Sequence, residues 1–152
     1  MIEQGKKAPA FRLPSDSGET VSLGDFKGKK VVLYFYPKDM TPGCTIQAGD
    51  FERAAAKFKR LGAQVMGVSK DSCVRLAKFG EKENLQFMLL SDEHSKMCEA
   101  FGVWGEKSLY GRKYMGIERA TFLVDPKGNI VAAWRKVKVN GQLRVGAAID
   151  LE

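Results

Sequence analysis

The chain of 152 residues has few of the side chains that bind metals or form disulfides. It contains three cysteines, Cys44, Cys73 and Cys98, and a single histidine, His94. An odd and low cysteine count argues against the disulfide scaffold of a small secreted protein. No Cys-x-x-Cys pair is present, and tetrahedral zinc needs more cysteine and histidine ligands than these. We therefore expect no metal and no cofactor, which leaves structural thiols, a reactive thiol, or both.

Long hydrophobic runs are also missing. The longest, at residues 31–36, has the length of a strand, whereas a membrane helix needs about 20 apolar residues. Residues 1–7 carry charges with no apolar core behind them, unlike a signal peptide. We therefore expect a cytoplasmic protein without membrane association. The composition shows no linker and predicts one domain over residues 1–150, with Leu151 and Glu152 interpreted as a cloning scar.

The chain is basic, with a net charge of +7. Basic chains often bind nucleic acid or acidic partners. Here, however, lysines and arginines are spread along the sequence and mixed with acidic residues. The densest basic segment, residues 135–138, resembles an edge strand with charges that prevent further pairing. We therefore expect a solvated basic surface and no nucleic-acid partner.

Strand and helix patterns alternate along the chain. The turn-rich residues 15–18 predict a short hairpin, and the apolar residues 31–36 predict a strand buried on both faces. Phe51 and Phe58 then repeat at helical spacing, and Gly62 stands where that helix should stop. Further strands are predicted at 64–69, 87–90, 120–124 and 130–139. Asp71 or Ser72 can cap a second helix that contains Phe79, and Ser91 or Asp92 can cap a short helix that carries Cys98. A last short helix is predicted at 143–149.

This order predicts an α/β protein with a mixed central sheet flanked by helices, a thioredoxin-like fold. Strand-helix-strand units pair in parallel through right-handed crossovers, and the turn at residues 126–129 adds antiparallel strands. In open α/β sheets, ligands bind beyond the carboxyl ends of the strands. Two loops are expected at that edge, residues 37–44 and residues 69–73.

Cys44 lies between a predicted buried strand and a predicted amphipathic helix, so it should occupy the first turn of that helix. A helix N-terminus carries about half a positive charge and unpaired N–H groups, and both favour thiolate over thiol. The thiolate is the nucleophilic form of cysteine. The same N–H groups can orient a bound oxygen.

The residues around Cys44 fit the same chemistry. Thr41 can donate a hydrogen bond to a thiolate or to a bound oxygen, or accept one from an O–H group. Pro37 and Pro42 stiffen the loop, and Pro42 can shield the sulfur from water. From these residues alone, an inert buried cysteine with two prolines marking the end of the strand explains the pattern equally well.

The segment from Pro37 through Thr41 to Cys44 resembles the peroxiredoxins, whose signature is Pro-x-x-x-Thr-x-x-Cys. The longer stretch 35–45 is similar to the peroxiredoxin Q subfamily, also called bacterioferritin comigratory protein. The resemblance extends over residues 5–138, with further matching motifs at 67–69, 90–92, 101–104 and 116–125. It implies a thioredoxin-like fold and a cysteine-based peroxidase in which Cys44 attacks the peroxide.

The resemblance also implies roles for two more residues. Arg119 stands at the position of the family's active-site arginine, which would stabilise the thiolate and the charge on the departing oxygen. Gln47 stands where the subfamily usually has a glutamate that holds this arginine. Because Gln47 lies one turn after Cys44, it is a supporting candidate for orienting Arg119.

The chain departs from the subfamily at the resolving cysteine. The two positions where relatives carry it are occupied here by Gly49 and, by alignment, Gly80. The Cys44 sulfenic acid could then be reduced by an external thiol, by Cys73, or by Cys98. Cys73 lies two helical turns before Gly80 and is the possible internal partner, although a disulfide would require local unwinding. Cys98 is expected to be a core residue.

The leading hypothesis is therefore a thiol peroxidase acting on hydrogen peroxide and organic hydroperoxides. The resemblance implies thioredoxin, glutaredoxin or a low-molecular-weight thiol as the reductant, and a monomer. Two alternatives stay open: a redox sensor or binding module that passes oxidation to a partner protein, and a thiol-disulfide oxidoreductase, which the missing Cys-x-x-Cys disfavours. His94 is better explained as a solvated helix-cap residue than as a base.

Overall fold

The computed structural model describes residues 5–38 and 40–135, without the side chain of Leu109. Its centre is a five-stranded mixed sheet in the order β5-β4-β3-β8-β9. Strands β3, β4 and β5 run parallel, and β8 and β9 are antiparallel to their neighbours. The bounds of these strands are Lys30–Phe35 (β3), Ala63–Ser69 (β4), Met88–Ser91 (β5), Ala120–Val124 (β8) and Ile130–Arg135 (β9). The predicted mixed sheet is confirmed.

Strand β3 divides the core because successive side chains of a strand point to opposite faces. Val31, Leu33 and Phe35 lie in one hydrophobic cluster, which also contains Phe122 and Cys98. On the opposite face of the sheet, a second cluster is built from these residues: Val32, Tyr34, Tyr36, Cys44, Phe51 and Phe79. The prediction of a strand buried on both faces is therefore confirmed, and the helices that carry Cys44 and Cys98 pack on opposite faces.

Helix α1 (Pro42–Arg60) follows β3 and covers the second cluster. Pro42 occupies the first turn, where its missing N–H costs no helical hydrogen bond. Phe51 and Phe58 are buried as the periodicity predicted. The helix ends before Gly62, whose φ of +75° is a left-handed conformation that glycine adopts without strain.

Two shorter helices follow the parallel strands. Ser72 caps α2 (Cys73–Lys82) by accepting from the Arg75 N–H, which decides between the two predicted caps. The prediction of Ser91 or Asp92 as the cap of α3 (Lys96–Ala100) is wrong, because Ser95 precedes that helix. The Asp92 carboxylate nevertheless accepts from the N–H groups of Met97 and Cys98, and so serves the first turn from outside it.

In the described part of the chain, two further pairs of strands stand outside the central sheet. The predicted N-terminal hairpin forms from β1 (Arg12–Pro14) and β2 (Thr20–Ser22), followed by a short 3-10 helix at Leu23–Phe26. A second hairpin, β6 (Trp104–Leu109) and β7 (Arg112–Ile117), was not predicted.

The second hairpin turns at Tyr110 and Gly111, which both have positive φ, as a tight two-residue turn requires. It leads directly into residues 118–119, at the edge where the functional site lies.

Two predictions fall outside the described residues: the extension of the last strand through 136–139 and the helix at 143–149. Among the residues that the structure does describe, no helix is long and apolar enough to cross a membrane.

Candidate active site

The site forms where β3 ends and α1 begins. In the antiparallel pair of β3 and β8, Phe35 stands opposite Ala120. Because Arg119 immediately precedes Ala120, this register places Arg119 at the carboxyl end of β3, beside the loop that carries Cys44. Residues 75 positions apart in the sequence are thus brought together by strand pairing.

The guanidinium of Arg119 donates hydrogen bonds to two side chains of α1, those of Cys44 and Gln47. Arg119 Nη2 donates to Cys44 Sγ at 3.3 Å, and Arg119 Nη1 donates to Gln47 Oε1 at 2.6 Å. Cys44 and Gln47 are three residues apart on α1, so both face the same side and engage the two ends of one planar group. The arrangement aims a fixed positive charge at the sulfur.

Gln47 is fully buried, and its amide nitrogen Nε2 has no hydrogen-bond partner among the described residues. Its oxygen alone is engaged, by Arg119. A glutamine at this place positions the arginine without adding the negative charge of a carboxylate.

Thr41 precedes α1, but its side chain does not cap the helix. Its hydroxyl instead donates to the Lys38 carbonyl at 2.9 Å. With its hydrogen used in this way, the hydroxyl oxygen keeps its lone pairs for accepting. The Thr41 side chain also leaves the N–H groups of the first helical turn, where Cys44 lies, uncapped.

The Cys44 residue is only 1% exposed. The sulfur therefore lies below the surface, in the cluster built around Tyr36 and Phe51. Pro37 is half-buried two residues after the end of β3, and Pro42 is exposed in the first turn of α1. A small reagent can approach such a sulfur more easily than a protein thiol can.

Cys98 is equally buried but lies among different neighbours. It has no exposed surface, and the buried Asp92 carboxylate accepts from its backbone N–H at 2.8 Å. Burial, and next the hydrogen bond and negative charge of Asp92, raise the pKa of the Cys98 thiol. The prediction of Cys98 as a core residue is confirmed.

Cys73 belongs to neither of the hydrophobic clusters that contain Cys44 and Cys98. It is the first residue of α2 and is half-buried, and all three cysteines are free thiols. Among the described residues, no group of three or more histidine, cysteine or carboxylate side chains could hold a metal ion. His94 is exposed in the loop before α3.

Arg135 braces the backbone that carries Arg119. Its guanidinium donates to the carbonyls of Phe101 and Gly102, at 2.9 and 3.0 Å, and to the Glu118 carboxylate at 3.3 Å. Arg135, the first residue of the basic segment 135–138, thus contacts Glu118, the residue before Arg119.

Sequence reasoning missed one residue near the site, Lys107 in β6. Burial and, next, the charge of Arg119 lower the pKa of the Lys107 ammonium, while Cys44 and Glu118 act in the opposite direction. Lys107 lies in the hairpin whose second strand leads to Arg119. Only the hairpin β6–β7, which was not predicted, could have indicated it.

A mixed thioredoxin-like sheet with a cysteine in the first turn of α1 and an arginine donating to its sulfur is typical of the cysteine-based thiol peroxidases. The chain belongs to the AhpC/TSA family, whose model matches residues 4–133.

The individual relatives agree with this assignment. Peroxiredoxin Bcp of Bacillus subtilis (strain 168) is 56% identical over 138 residues, covering 91% of this chain and 88% of that protein. Peroxiredoxin Bcp of Escherichia coli (strain K12) is 50% identical over 129 residues, covering 85% and 83%.

Solved structures show the same likeness. The bacterioferritin comigratory protein of Xanthomonas campestris superposes with a TM-score of 0.88 at 42% identity, covering 93% of this chain and 90% of that one. A cysteine-to-serine mutant of peroxiredoxin Q from Xylella fastidiosa superposes with a TM-score of 0.94 at 35% identity, covering 99% and 97%. The chain is thus a peroxiredoxin of the Bcp, or peroxiredoxin Q, type, and a thiol peroxidase.

Proposed function

We propose that Cys44 is the peroxidatic residue and that it reduces hydrogen peroxide and organic hydroperoxides through a sulfenic acid. The observation that carries this proposal is the 3.3 Å hydrogen bond from Arg119 Nη2 to Cys44 Sγ. A guanidinium beside sulfur stabilises the thiolate, and it stabilises the negative charge that develops on the departing oxygen.

The first half-reaction forms one S–O bond and breaks the O–O bond. The Cys44 thiolate attacks the nearer peroxide oxygen, the sulfur is oxidised to a sulfenic acid, and the far oxygen leaves as water or an alcohol after taking up a proton. Thr41 accepts from the O–H of the attacked oxygen, consistent with the hydroxyl hydrogen that it directs at the Lys38 carbonyl. Gln47 acts through Arg119 as a positioning residue.

Pro37 and Pro42 complete the proposed site by fixing the loop. Pro37 follows β3, and Pro42 begins α1, so the chain between them has few accessible conformations. Their role is to hold Thr41 and Cys44 in place and, for Pro42, to limit the access of water to the sulfur.

The second half-reaction needs a thiol. One thiol attacks the sulfenic sulfur and releases water, and a second thiol reduces the resulting disulfide. We propose an external thiol (thioredoxin, glutaredoxin or a small thiol) or Cys73 for the first of these attacks. The burial and the raised pKa of Cys98 speak against Cys98 as the attacking group, because the thiolate is the reactive form.

A test compares peroxide consumption, in the presence of a reducing thiol, by the wild type and by two matched variants. Cys44→Ser should abolish the consumption, whereas Cys98→Ala, at the other buried cysteine, should retain most of it. Full activity of Cys44→Ser would contradict the proposal.

A relay to a partner protein is the second candidate function. It is favoured by the glycines at positions 49 and 80, which leave the Cys44 sulfenic acid without the resolving cysteines of relatives. Slow turnover together with trapped mixed disulfides would support the relay. Rapid turnover with a small thiol would instead support the peroxidase cycle.

The monomeric state and the cytoplasmic location stay predictions. Light scattering on the reduced and the peroxide-treated protein would test the first, and fractionation of cells the second.

A further inference from the structure

Lys107 is the feature near the site that the proposed chemistry does not use. It lies in β6 opposite Tyr114 of β7. Its carbon stem, however, lies across Gly116: a Cβ built on Gly116 would stand 3.2 Å from Lys107 Cδ and 3.7 Å from Cε. Because Gly116 is two residues further along β7 than Tyr114, the stem runs along the strand in the direction of Arg119.

The space that receives this side chain is kept open by glycines. Gly105 and Gly116 stand opposite each other in the hairpin, and both line a cavity of about 170 Å³ together with Lys107 and Glu118. A side chain at Gly116 would meet the stem of Lys107 and the ring of Tyr114. The hairpin is thus shaped to hold Lys107 along its surface and leaves room beside it.

Lys107 forms no ion pair within the described part of the protein, although the charges of Arg119, Cys44 and Glu118 act on it. The two carboxylates of this region pair with other cations: Glu118 with Arg135 at 3.3 Å and Glu106 with Lys113 at 3.7 Å. Lys107 is half-buried, whereas the side chain of Lys113 in the same hairpin is 75% exposed. Burial and, next, the charge of Arg119 lower the pKa of Lys107, which agrees with a stem that runs towards Arg119.

We propose that Lys107 is a specificity residue that binds the anionic group of hydroperoxides carrying a carboxylate close to the O–O bond. The inference rests on the proposed role of Cys44 as the peroxidatic residue. With the peroxide held between Arg119 and Cys44, a carboxylate a few bonds away would reach the Lys107 ammonium. A half-buried cation that forms no ion pair with the described residues attracts such a group more strongly than an exposed lysine does.

The test measures the second-order rate constants of oxidation for three peroxides: a short tertiary alkyl hydroperoxide bearing a terminal carboxylate, its methyl ester, and hydrogen peroxide. The wild type should prefer the carboxylate over the ester. Lys107→Gln should lower the ratio of the two rate constants by about fivefold, and Lys107→Arg should keep the preference. Lys113→Gln, on the same hairpin, should leave the ratio unchanged.

The pH profile adds an independent readout. The preference should be lost as the pH rises through the lowered pKa of Lys107, below the range in which an ordinary lysine titrates. The charged groups that interact with Lys107 there are Arg119, Cys44 and Glu118. The ester serves as the control for the titration of the site itself.

Two results would overturn the inference: a carboxylate-to-ester ratio near one in the wild type, or an equal loss of all three rates in Lys107→Gln. The second result would mean that Lys107 acts on the sulfur and not on the substrate. Failure of the proposed function itself would look different, because the wild type would then not react with hydrogen peroxide either.

Discussion

Two cysteines of this protein are almost completely buried, yet their surroundings are opposite. Cys44 lies in the first turn of α1 with the Arg119 guanidinium 3.3 Å from its sulfur. Cys98 lies in α3 beside the buried carboxylate of Asp92. A positive charge beside sulfur favours the thiolate and a negative charge disfavours it, so the two surroundings favour different forms of cysteine.

The Asp92 carboxylate has two effects: it accepts hydrogen bonds from the first turn of α3, and it disfavours the thiolate of Cys98. Asp92 accepts from two N–H groups in the first turn of α3, a position where a negative charge is favourable. The same charge adds to burial in raising the pKa of the Cys98 thiol. The first turn of α1, where Cys44 lies, has no acidic side chain. The charged group beside Cys44 is the guanidinium of Arg119.

The largest effect is expected from removing the positive charge beside Cys44. Arg119→Met should lower the rate constant with hydrogen peroxide by about 100-fold or more, as the loss of one electrostatic stabiliser typically does. Stopped-flow kinetics would measure it, with Arg112→Met on the exposed face of β7 as the control. A loss smaller than about threefold would show that the arginine is not needed.

Removing the negative charge beside Cys98 should destabilise the fold. Asp92→Ala leaves two buried N–H groups without acceptors, and we expect a loss of about 2 kcal/mol in the free energy of unfolding. Urea denaturation would measure it, with Glu99→Ala on the exposed side of α3 for comparison. If both variants unfold at the same urea concentration, Asp92 does not serve the helix in this way.

A smaller effect is expected from the residue that positions Arg119. Gln47→Leu should lower the peroxide rate constant on the order of tenfold, because a misplaced guanidinium stabilises the reacting sulfur less well. Gln47→Glu keeps the acceptor oxygen and should restore most of the rate. An unimpaired Gln47→Leu variant would mean that Arg119 is held by other contacts.

The last prediction concerns the stability of the fold at alkaline pH, which should depend on Cys98. The raised pKa of Cys98 means that the folded state keeps its proton while the unfolded chain loses it above about pH 8.5. The stability that Cys98 contributes is therefore complete below that pH and falls above it, with a slope approaching about 1.4 kcal/mol per pH unit. Cys98→Ala should show a shallower decline in denaturation experiments between about pH 8 and pH 10; identical slopes would argue against a protonated thiol.

Much of this architecture could be predicted because its signals are local. The strand before Cys44 is indicated by the apolar run of β3. The helix that carries Cys44 is indicated by the spacing of Phe51 and Phe58 and by the proline at its start. The place of Arg119 could not be derived from periodicity. It depends on the register of β3 with β8, and only the resemblance to the peroxiredoxins predicted it.

Other features were missed for physical reasons. Strand β7 is mostly exposed, and the hairpin β6–β7 carries four charged residues, so it lacks the alternation of apolar and polar residues that indicates a strand. Its turn depends on positive φ at Tyr110, a residue that is rarely a turn signal. The start of α3 was misassigned because Asp92 acts on the first turn from three residues before Ser95.

The role of Cys44 can be tested by finding which residue of the protein is oxidised first. Fully reduced protein would be treated with one equivalent of hydrogen peroxide in the presence of a sulfenic-acid trap, and the modified peptide identified by mass spectrometry, alongside Cys44→Ser. We expect Cys44 to be the first residue oxidised, either as a trapped adduct or as a disulfide with Cys73, and Cys44→Ser to take up no oxidant. Trap adducts on Cys98, or equal oxidation of the Cys44→Ser variant, would contradict it.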